Sequence, residues 1–388
     1  MCPAPEEQTN SGLSSSNLAS FALEHRLRRA AGTNMWCGPG CRMWERAIVL
    51  LLAAVTVPDS TSCASQNMRV GVAINLFSRY GYLSISMRVV PRNDSDSWLF
   101  REPSVDVFRN LSYLQTPVRG LPGTGTPVFQ GDFHMEFCDN MKQLLQAYFR
   151  DFKMERLERP WRAFSASWGK STLAKHLGIN SSYVTGQHSY VLVRVARHRD
   201  SGRLGDLPLG GTLPLEELVA EEVDRVVPGD VPSVGRFVKN FGSHYVSSYV
   251  TGNALYQVFV YTPQIYSKIK ERLRAKGVSD LSNVELSSFF SPWYAEHIGT
   301  IQTASGNGTV DAWVADHLRV HFYFFTYASL LKLHGDAGLL RQLNDLLGNE
   351  ALLQLDLRTL APAFSDPQKR AWFEVVMDNS LKLWEVNM

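Results

Sequence analysis

An apolar run at residues 47–57 decides which part of this chain has to fold. The run is too short to span a bilayer, but it has the length of the apolar core of a secretory signal. Arg46 precedes it, and small residues after it offer a cleavage site before Ser65. A buried core helix is the alternative, but small polar residues follow the run at once. We therefore predict a signal peptide at 43–64 and a mature, single-domain protein at 65–388.

Residues 1–42 are interpreted as a disordered extension or a gene-model artefact. They are Ser-rich and show no periodic pattern. Met35 and Met43 both lie before the apolar run, and translation from Met43 would give an ordinary signal peptide. The sequence leaves Met1, Met35 and Met43 open as the true start.

We expect N-terminal sequencing of secreted material to begin near Ser65, and deletion of residues 1–42 to leave secretion intact. The reason is that a basic start, an apolar core and a small-residue cleavage site are sufficient for a secretory signal. Secreted protein that still contains residues 1–42 would contradict the first expectation, and a truncated protein that stays inside the cell would contradict the second.

Cysteine usage agrees with this division of the chain. Four of the five cysteines precede Ser65, and Cys138 alone remains in the mature part, so no internal disulfide can form there. The apolar neighbours Phe133, Met135 and Phe137 favour a buried, reduced Cys138. An intermolecular disulfide is the alternative.

Charge and hydropathy narrow the class of protein further. A net charge of +2 gives no strong field for nucleic acid, so we predict no nucleic-acid partner. No later window reaches the length and apolarity of a membrane helix. The most apolar window, 321–333, is short and contains Lys332. We therefore predict a secreted, extracellular protein. Four N-x-[ST] acceptors predict glycosylated loops in such a protein: Asn93, Asn110, Asn180 and Asn307.

Hydrophobic periodicity predicts an α+β fold with a mostly antiparallel sheet. Strands and helices alternate in long blocks, and no Gly-rich fingerprint opens a helix. We predict strands at 68–90, with a turn at 79–81, and at 190–197 and 310–327. We predict helices at 141–152, 215–227, 264–290, 329–347 and 366–384, and a loop at 115–130. The last helix starts with Asp366 as N-cap and Pro367 in its first turn.

Catalytic and metal-binding motifs are weak or absent in the sequence. Gly169-Lys170-Ser171 resembles the end of a phosphate-binding loop, but Phe164 stands where that loop needs its first glycine. His317 and His321 are spaced to share a face for a metal, but structural histidines are the favoured interpretation. We predict no catalytic residue, no metal and no cofactor, and therefore no enzyme activity.

One cluster of residues stands out in the second half of the chain: Phe241, Gly242, Ser243, His244 and Tyr245, followed after six residues by Gly252 and Asn253. Gly242 permits close backbone approach, and His244 can join a buried polar contact. Gly252 and Asn253 both tolerate positive φ, which predicts a bend. The favoured interpretation is that these residues maintain the fold.

The order and spacing of this cluster resemble the signature of the membrane-attack-complex/perforin (MACPF) superfamily, and the likeness covers about residues 130–388. The resemblance implies a bent antiparallel β-sheet flanked by helical clusters, at about 140–180 and 264–305. In the superfamily these clusters can unfurl into membrane-spanning hairpins. Ser243 stands where threonine is usual, and Asn253 replaces a second glycine, which stiffens the bend.

Four segments resemble more narrowly a family of secreted insect eggshell proteins: 71–75, 79–83, 87–94 and 108–112. That resemblance implies an N-terminal β segment, C-terminal helices and a role in embryonic terminal patterning. The implied partners are eggshell matrix proteins and an extracellular ligand with its receptor tyrosine kinase, with a membrane surface as a further possibility.

A membrane-inserting pore former is the alternative function. In a barrel strand every second side chain faces lipid and must be apolar. Charged residues at 150–159 and 268–274 occupy both alternating sets of positions, so neither set could face lipid. Only 289–301 is compatible with lipid, with Phe289, Trp293, Ala295 and Gly299 on one parity. We therefore expect a developmental cue without lytic activity.

Overall fold

The computed structural model describes residues 69–80, 105–109, 111, 129–205, 213–276, 282–304 and 307–387. These residues all belong to one compact unit. The expected leader, the acceptors Asn93 and Asn110, and most of the predicted loop at 115–130 lie outside them.

Nine of the described strands form one mixed sheet that is mostly antiparallel. They are β1 (Val72–Ile74), β2 (Val105–Asp106), β3 (Gly131–Cys138), β4 (Phe152–Met154), β5 (Ser189–Arg203), β6 (His244–Tyr261), β7 (His297–Ile298), β8 (Gln302–Thr303) and β11 (Ala351–Thr359). Only the pairing of β4 with β11 is parallel. A separate hairpin consists of β9 (Arg319–Phe322) and β10 (Phe325–Ala328). The predicted α+β class with a large antiparallel sheet is confirmed.

Strand β6 organises the sheet because it is the longest of the described strands and changes neighbours along its length. On one side β5 pairs with it from Tyr261 down to Ser248. On the other side β11 pairs with its first half, whereas the short strands β7 and β8 pair with its second half. Strand β3 pairs with the outer side of β5.

Both faces of the central strands are buried, because helices cover the sheet on two sides. In β5, Tyr190 and Leu192 face one apolar core, and Val191, Val193 and Val195 face the other. This alternation follows from the two-residue period of a strand. The valine-rich sequence predicts the strand at 190–197, and the structure extends it to Ser189–Arg203.

Ten described helices supply the two covering layers. The first core receives residues from α1 (Met141–Tyr148), α2 (Pro160–Ser165), α3 (Lys170–Leu177), α4 (Glu217–Asp224), α5 (Val231–Phe241) and α10 (Pro367–Asn387). The second receives residues from α6 (Pro263–Lys276), α7 (Asn283–Phe289), α8 (Gly308–His317) and α9 (Ala337–Leu346). Among the described residues, no helix combines the length and the apolar character that crossing a bilayer requires.

The C-terminal helix α10 begins as its sequence predicts. The Asp366 side chain accepts hydrogen bonds from the backbone nitrogens of Gln368 (2.7 Å) and Lys369 (3.4 Å). Pro367 follows this cap, where the missing N–H costs nothing. Phe373 and Met377 then lie one turn apart in the first core.

Several predicted elements are wrong. Residues 308–317 form helix α8 and not a strand, because the Asn307 side chain caps the Thr309 nitrogen (2.9 Å) and Val310 and Val314 bury one helical stripe. The predicted helix at 329–347 is a 3₁₀ turn at Leu330–Leu333 followed by α9. The predicted turn at 79–81 is not contradicted: Tyr80 is a turn residue after a 3₁₀ turn at Leu76–Arg79, and the predicted strand beyond it lies outside the described residues. Strand β11 was not predicted.

Candidate functional site

The residues of the sequence signature do not line an open cleft; they form a joint between segments that are distant in sequence. Helix α5 ends at Phe241, and Gly242 follows with φ +94° and ψ 178°. That conformation is disfavoured for any residue with a Cβ. A Cβ at Gly242 would also lie 2.7 Å from the carbonyl carbon and oxygen of Ile74 in β1. Gly242 therefore allows α5 and β1 to meet at the start of β6.

Ser243 connects three strands through hydrogen bonds. Its backbone nitrogen donates to the Ile74 oxygen (2.9 Å), and its carbonyl accepts from the Leu360 nitrogen (3.0 Å) just after β11. Its hydroxyl oxygen accepts from the Leu76 nitrogen at 3.0 Å. Ser243 is fully buried, so each of these bonds is shielded from water.

His244 extends the same network to the end of β4. Its Nε2 lies 3.3 Å from the Glu155 carbonyl oxygen, and its Nδ1 lies 2.9 Å from the Ser243 hydroxyl. Because a carbonyl only accepts, the proton resides on Nε2 and Nδ1 accepts from Ser243. The Glu155 carboxylate in turn accepts from the backbone nitrogen (2.7 Å) and hydroxyl (3.0 Å) of Thr359. Complete burial makes His244 a structural residue with no access to a substrate.

Burial also lowers the pKa of His244 to about 4, although the Glu155 carbonyl and carboxylate partly oppose the shift. As the pH falls, His244 of the unfolded chain binds a proton near pH 6.5, whereas His244 of the folded chain binds one only near pH 4. The stabilisation by neutral His244 is therefore complete above pH 6.5 and is lost as the pH falls towards 4. We expect a loss of about 2 kcal/mol between pH 7 and pH 5 from this residue.

Thermal and urea unfolding at both pH values, in wild type and His244→Gln, measure that contribution. The variant should show a smaller loss between pH 7 and pH 5. His176→Gln is the matched variant to compare with His244→Gln, because burial and then Lys175 lower the pKa of His176 to about 4 as well. An equal pH dependence in wild type and His244→Gln would contradict the buried neutral histidine.

The second half of the signature lies beside two register irregularities of the sheet, and not in a turn or at a positive φ. Gly252 and Asn253 lie inside β6, and Gly252 is not among the positive-φ residues. The register of β5 shifts between His198 and Asp200, opposite Gly252 and Thr251. The register of β11 shifts at Leu353, two residues after the partner of Gly252. Such bulges increase the local bend and twist of a sheet.

Asn253 lies where β6 changes its neighbour from β11 to β8. Its side-chain nitrogen lies 3.2 Å from a carboxylate oxygen of Glu350, just before β11, and its side-chain oxygen accepts from the Ala254 nitrogen (2.8 Å). The Ala254 carbonyl accepts from the Ala304 nitrogen (2.8 Å), just after β8. The asparagine side chain thus satisfies backbone and carboxylate groups at the break between two strands.

Gly252→Ala is expected to destabilise the fold by about 1–3 kcal/mol, because the added Cβ would lie 1.9 Å from the Arg197 carbonyl oxygen. The cause is steric and not conformational, since the φ value of Gly252 is ordinary. Gly169→Ala is the matched control, because nothing lies within 4 Å of its added Cβ. Urea denaturation of both purified variants measures the difference; equal midpoints would contradict the close strand contact.

An ion pair between a buried arginine and a half-buried aspartate attaches the first helical cluster to the sheet. Arg194 in β5, with 5% of its surface exposed, donates from Nη1 to the Asp151 carboxylate between α1 and β4. The neighbouring Arg150 donates to Glu136 of β3 at 2.6 Å. The Arg194 guanidinium also lies 5.9 Å from the Tyr256 ring centre. Sequence reasoning missed this pair, although an arginine between the valines of a buried strand is a signal for one.

The same helical cluster is also attached to helix α10. Arg156, which has a left-handed φ of +66°, places Nη1 2.8 Å from both carboxylate oxygens of Asp378. Its Nη2 lies 3.0 Å from Glu374. Glu385 accepts from the Arg159 backbone nitrogen at 2.7 Å, and the Glu385 carbonyl accepts from Arg162 at 2.6 Å. These contacts join α2 and the segment before it to α10.

The other sequence candidates do not assemble into a reactive centre. Within the described ranges, no group of three or more His, Cys, Asp or Glu residues could hold a metal ion. His317 ends α8 and contacts the Trp313 carbonyl, whereas His321 in β9 contacts Thr326. Cys138 is buried and free, and burial raises the pKa of its thiol to about 12. An intermolecular disulfide would need this thiol to become exposed.

Two further predictions concern exposed segments. The acceptor Asn180 is exposed and Asn307 is half-buried, and each uses its side-chain oxygen to cap the following turn. Their glycosylation stays a prediction. The lipid-compatible parity at 289–301 concerns an unfurled strand and stays a prediction. In the folded protein Phe289 ends α7, and Ala295 and Gly299 are buried. Of that set only Trp293 is strongly exposed, at 63%.

Comparison with known proteins gives structural similarities only. No protein-family model and no curated protein matches the sequence. The structure is similar to GNIP1Aa from Chromobacterium piscinae (TM-score 0.42, 12% identity, 81% of this chain and 57% of that one). It is also similar to a cell invasion protein with a MAC/perforin domain from Bacteroides thetaiotaomicron (0.36, 9%, 81% and 63%). A third is astrotactin-2, a perforin-like membrane protein involved in neuronal development (0.33, 12%, 77% and 99%). The chain therefore spans less than two thirds of the first two proteins.

Proposed function

We propose that this chain is a secreted, non-enzymatic protein of the MACPF superfamily that acts as an extracellular developmental cue. Its resemblance to the insect protein Torso-like supports a role in embryonic terminal patterning, upstream of the receptor tyrosine kinase Torso and through the ligand Trunk. The expected partners are this ligand–receptor system and eggshell matrix proteins.

The arrangement of the two helical clusters supports the superfamily assignment. One cluster, α1–α3, connects neighbouring strands β3 and β5, and the other, α6–α7, connects β6 with β7. The signature residues lie at the start of β6 and beside its register irregularities, and the superfamily resemblance implies a hinge at Gly252 and Asn253. Their burial and hydrogen bonding fit a role in keeping the sheet in shape.

The attachment of the first cluster to its surroundings is the observation that favours a cue over a pore. Unfurling of α1–α3 would break the Asp151–Arg194 pair and the contacts of Arg156 with Asp378 and Glu374. Removing Asp151 from the buried Arg194 leaves a cation with weaker compensation, which costs about 3 kcal/mol. Arg and Lys side chains of the unfurled cluster that face lipid, such as Arg156, would then cost about 2–4 kcal/mol each near the bilayer midplane.

Two assays test the proposal on the purified secreted protein. In liposome leakage we expect no dye release above the protein-free control. In cells that express the receptor and its ligand, we expect added protein to increase receptor phosphorylation. Dye release together with ring-shaped oligomers would support the pore-forming alternative. Receptor phosphorylation that does not respond to the protein would contradict the role as a cue.

A further inference from the structure

The β9–β10 hairpin lies outside the main sheet and carries four consecutive aromatic residues at its turn, at 322–325. Phe322 pairs with Phe325, so Tyr323 and Phe324 form a two-residue turn. Phe324 is 98% exposed, Tyr323 is 79% exposed and Phe325 is 43% exposed. Tyr323 has a φ of +51°, an uncommon value for a residue with a bulky side chain.

Trp293, from the segment after α7, completes this surface. Its ring centre lies 6.4 Å from those of both Tyr323 and Phe325, in edge-on arrangements. We call these four residues, Trp293, Tyr323, Phe324 and Phe325, the aromatic tip. Contiguous exposed apolar side chains of this kind mark an interaction site and not ordinary surface variation.

Positive charge lies at the base of the same hairpin. A groove of about 390 Å³ is lined by Arg319, His321 and Lys332, with no carboxylate among its lining residues. The Lys332 ammonium donates to the carbonyls of His317 (2.7 Å) and Arg319 (3.0 Å). Neither Arg319 nor Lys332 pairs with a carboxylate within the described part of the chain, so the charge of the groove is available to an anion.

We propose that the aromatic tip docks onto the surface of a phospholipid bilayer. Tryptophan, tyrosine and phenylalanine are the residues that favour the headgroup region, where an aromatic ring contacts both apolar and polar groups. Arg319 lies three residues before Phe322, or roughly 10 Å along an extended strand. That distance resembles the roughly 5–10 Å depth to which interfacial segments insert, so the groove cations reach lipid phosphates when the tip enters the bilayer surface. This docking needs no membrane-spanning hairpin and goes beyond the proposed role as a cue.

Cosedimentation of the secreted protein with vesicles tests the docking. We use phosphatidylcholine vesicles with and without phosphatidylserine, at low and high salt. Wild type should bind both kinds, and more strongly to those with phosphatidylserine at low salt. Phe324→Ser should weaken binding about tenfold, since it removes a large apolar side chain from the membrane contact. Arg319→Gln should remove most of the preference for phosphatidylserine.

Leu218→Ser is the matched control, because Leu218 is 71% exposed on α4, outside the aromatic tip. Its binding should equal that of wild type, and all three variants should keep the wild-type melting temperature. Wild type that does not sediment with vesicles, or Phe324→Ser that binds as wild type does, would overturn the proposal. So would a concentration-dependent dimer that Phe324→Ser disrupts, because the tip would then contact a second copy. Dye release is read separately and bears only on the pore-forming alternative.

Discussion

Gly242→Ala is expected to lower the free energy of unfolding by about 2–6 kcal/mol and to reduce the secreted yield severely. Two costs add at this residue. Its φ of +94° with ψ 178° belongs to a region that costs a residue with a Cβ about 1–3 kcal/mol. The Cβ would also lie 2.7 Å from backbone atoms of Ile74, and such crowding costs about 1–3 kcal/mol because a backbone cannot rotate away.

Gly235→Ala in the same helix provides the matched control. Nothing lies within 4 Å of an added Cβ at Gly235, and alanine in a helix is about 0.5–1 kcal/mol more favourable than glycine. We therefore expect unchanged or higher stability for this variant. Urea denaturation and secreted yield measure both variants side by side. If Gly242→Ala unfolds at the same midpoint as Gly235→Ala, the joint at Ile74 does not have the described geometry.

Asp151→Ala is expected to destabilise the protein by about 3 kcal/mol. It removes the carboxylate that contacts buried Arg194 and leaves a charge in the core with weaker compensation. The value lies at the low end of the usual range because Asp132 also acts on Arg194 electrostatically. Melting temperature and urea midpoint measure the change.

Two further variants separate the ion pair from other effects. Lys153→Ala removes an exposed side chain two residues away and should leave stability within about 0.5 kcal/mol of wild type. The double variant Asp151→Ala/Arg194→Met removes both charges and should be more stable than Asp151→Ala alone, since no buried cation remains. A double variant that is no more stable than the single one would show that the loss comes from packing and not from the unpaired arginine.

Elements whose burial pattern is visible along a single segment could be predicted from the sequence. Strand β5 alternates between two cores, and α10 carries both its cap and its apolar stripe. Strand β11 could not be predicted in the same way. Its leucine-rich segment, Ala351–Thr359, is compatible with a helix, and pairing with the first half of β6 makes it a strand. Helix α8 shows the opposite case, because its cap and its packing outweigh its β-branched and aromatic residues.

For the candidate site, too, the sequence predicts local roles but not the partners that are distant in sequence. The sequence predicts that Gly242 and His244 serve the fold, because glycine and histidine next to aromatic residues suit a close, polar, buried contact. It does not predict their partners, since Ile74 and Glu155 are far away in sequence. The sequence also predicts the wrong reason for glycine at position 252, namely a positive φ. Its strand φ is ordinary, and the constraint comes from a carbonyl on the neighbouring strand.

The joint at Ser243 sets the order of events during synthesis. Its hydrogen-bond partners Ile74 and Leu360 come from opposite ends of the described chain, so most of the polypeptide must be made before the joint can close. Until then, the first half of β6 has an unpaired edge on the side that later pairs with β11. Contacts between such distant residues slow folding and leave strand edges open to wrong pairing. We therefore expect the nascent protein to depend on chaperones for longer than a protein of similar size with mostly local contacts.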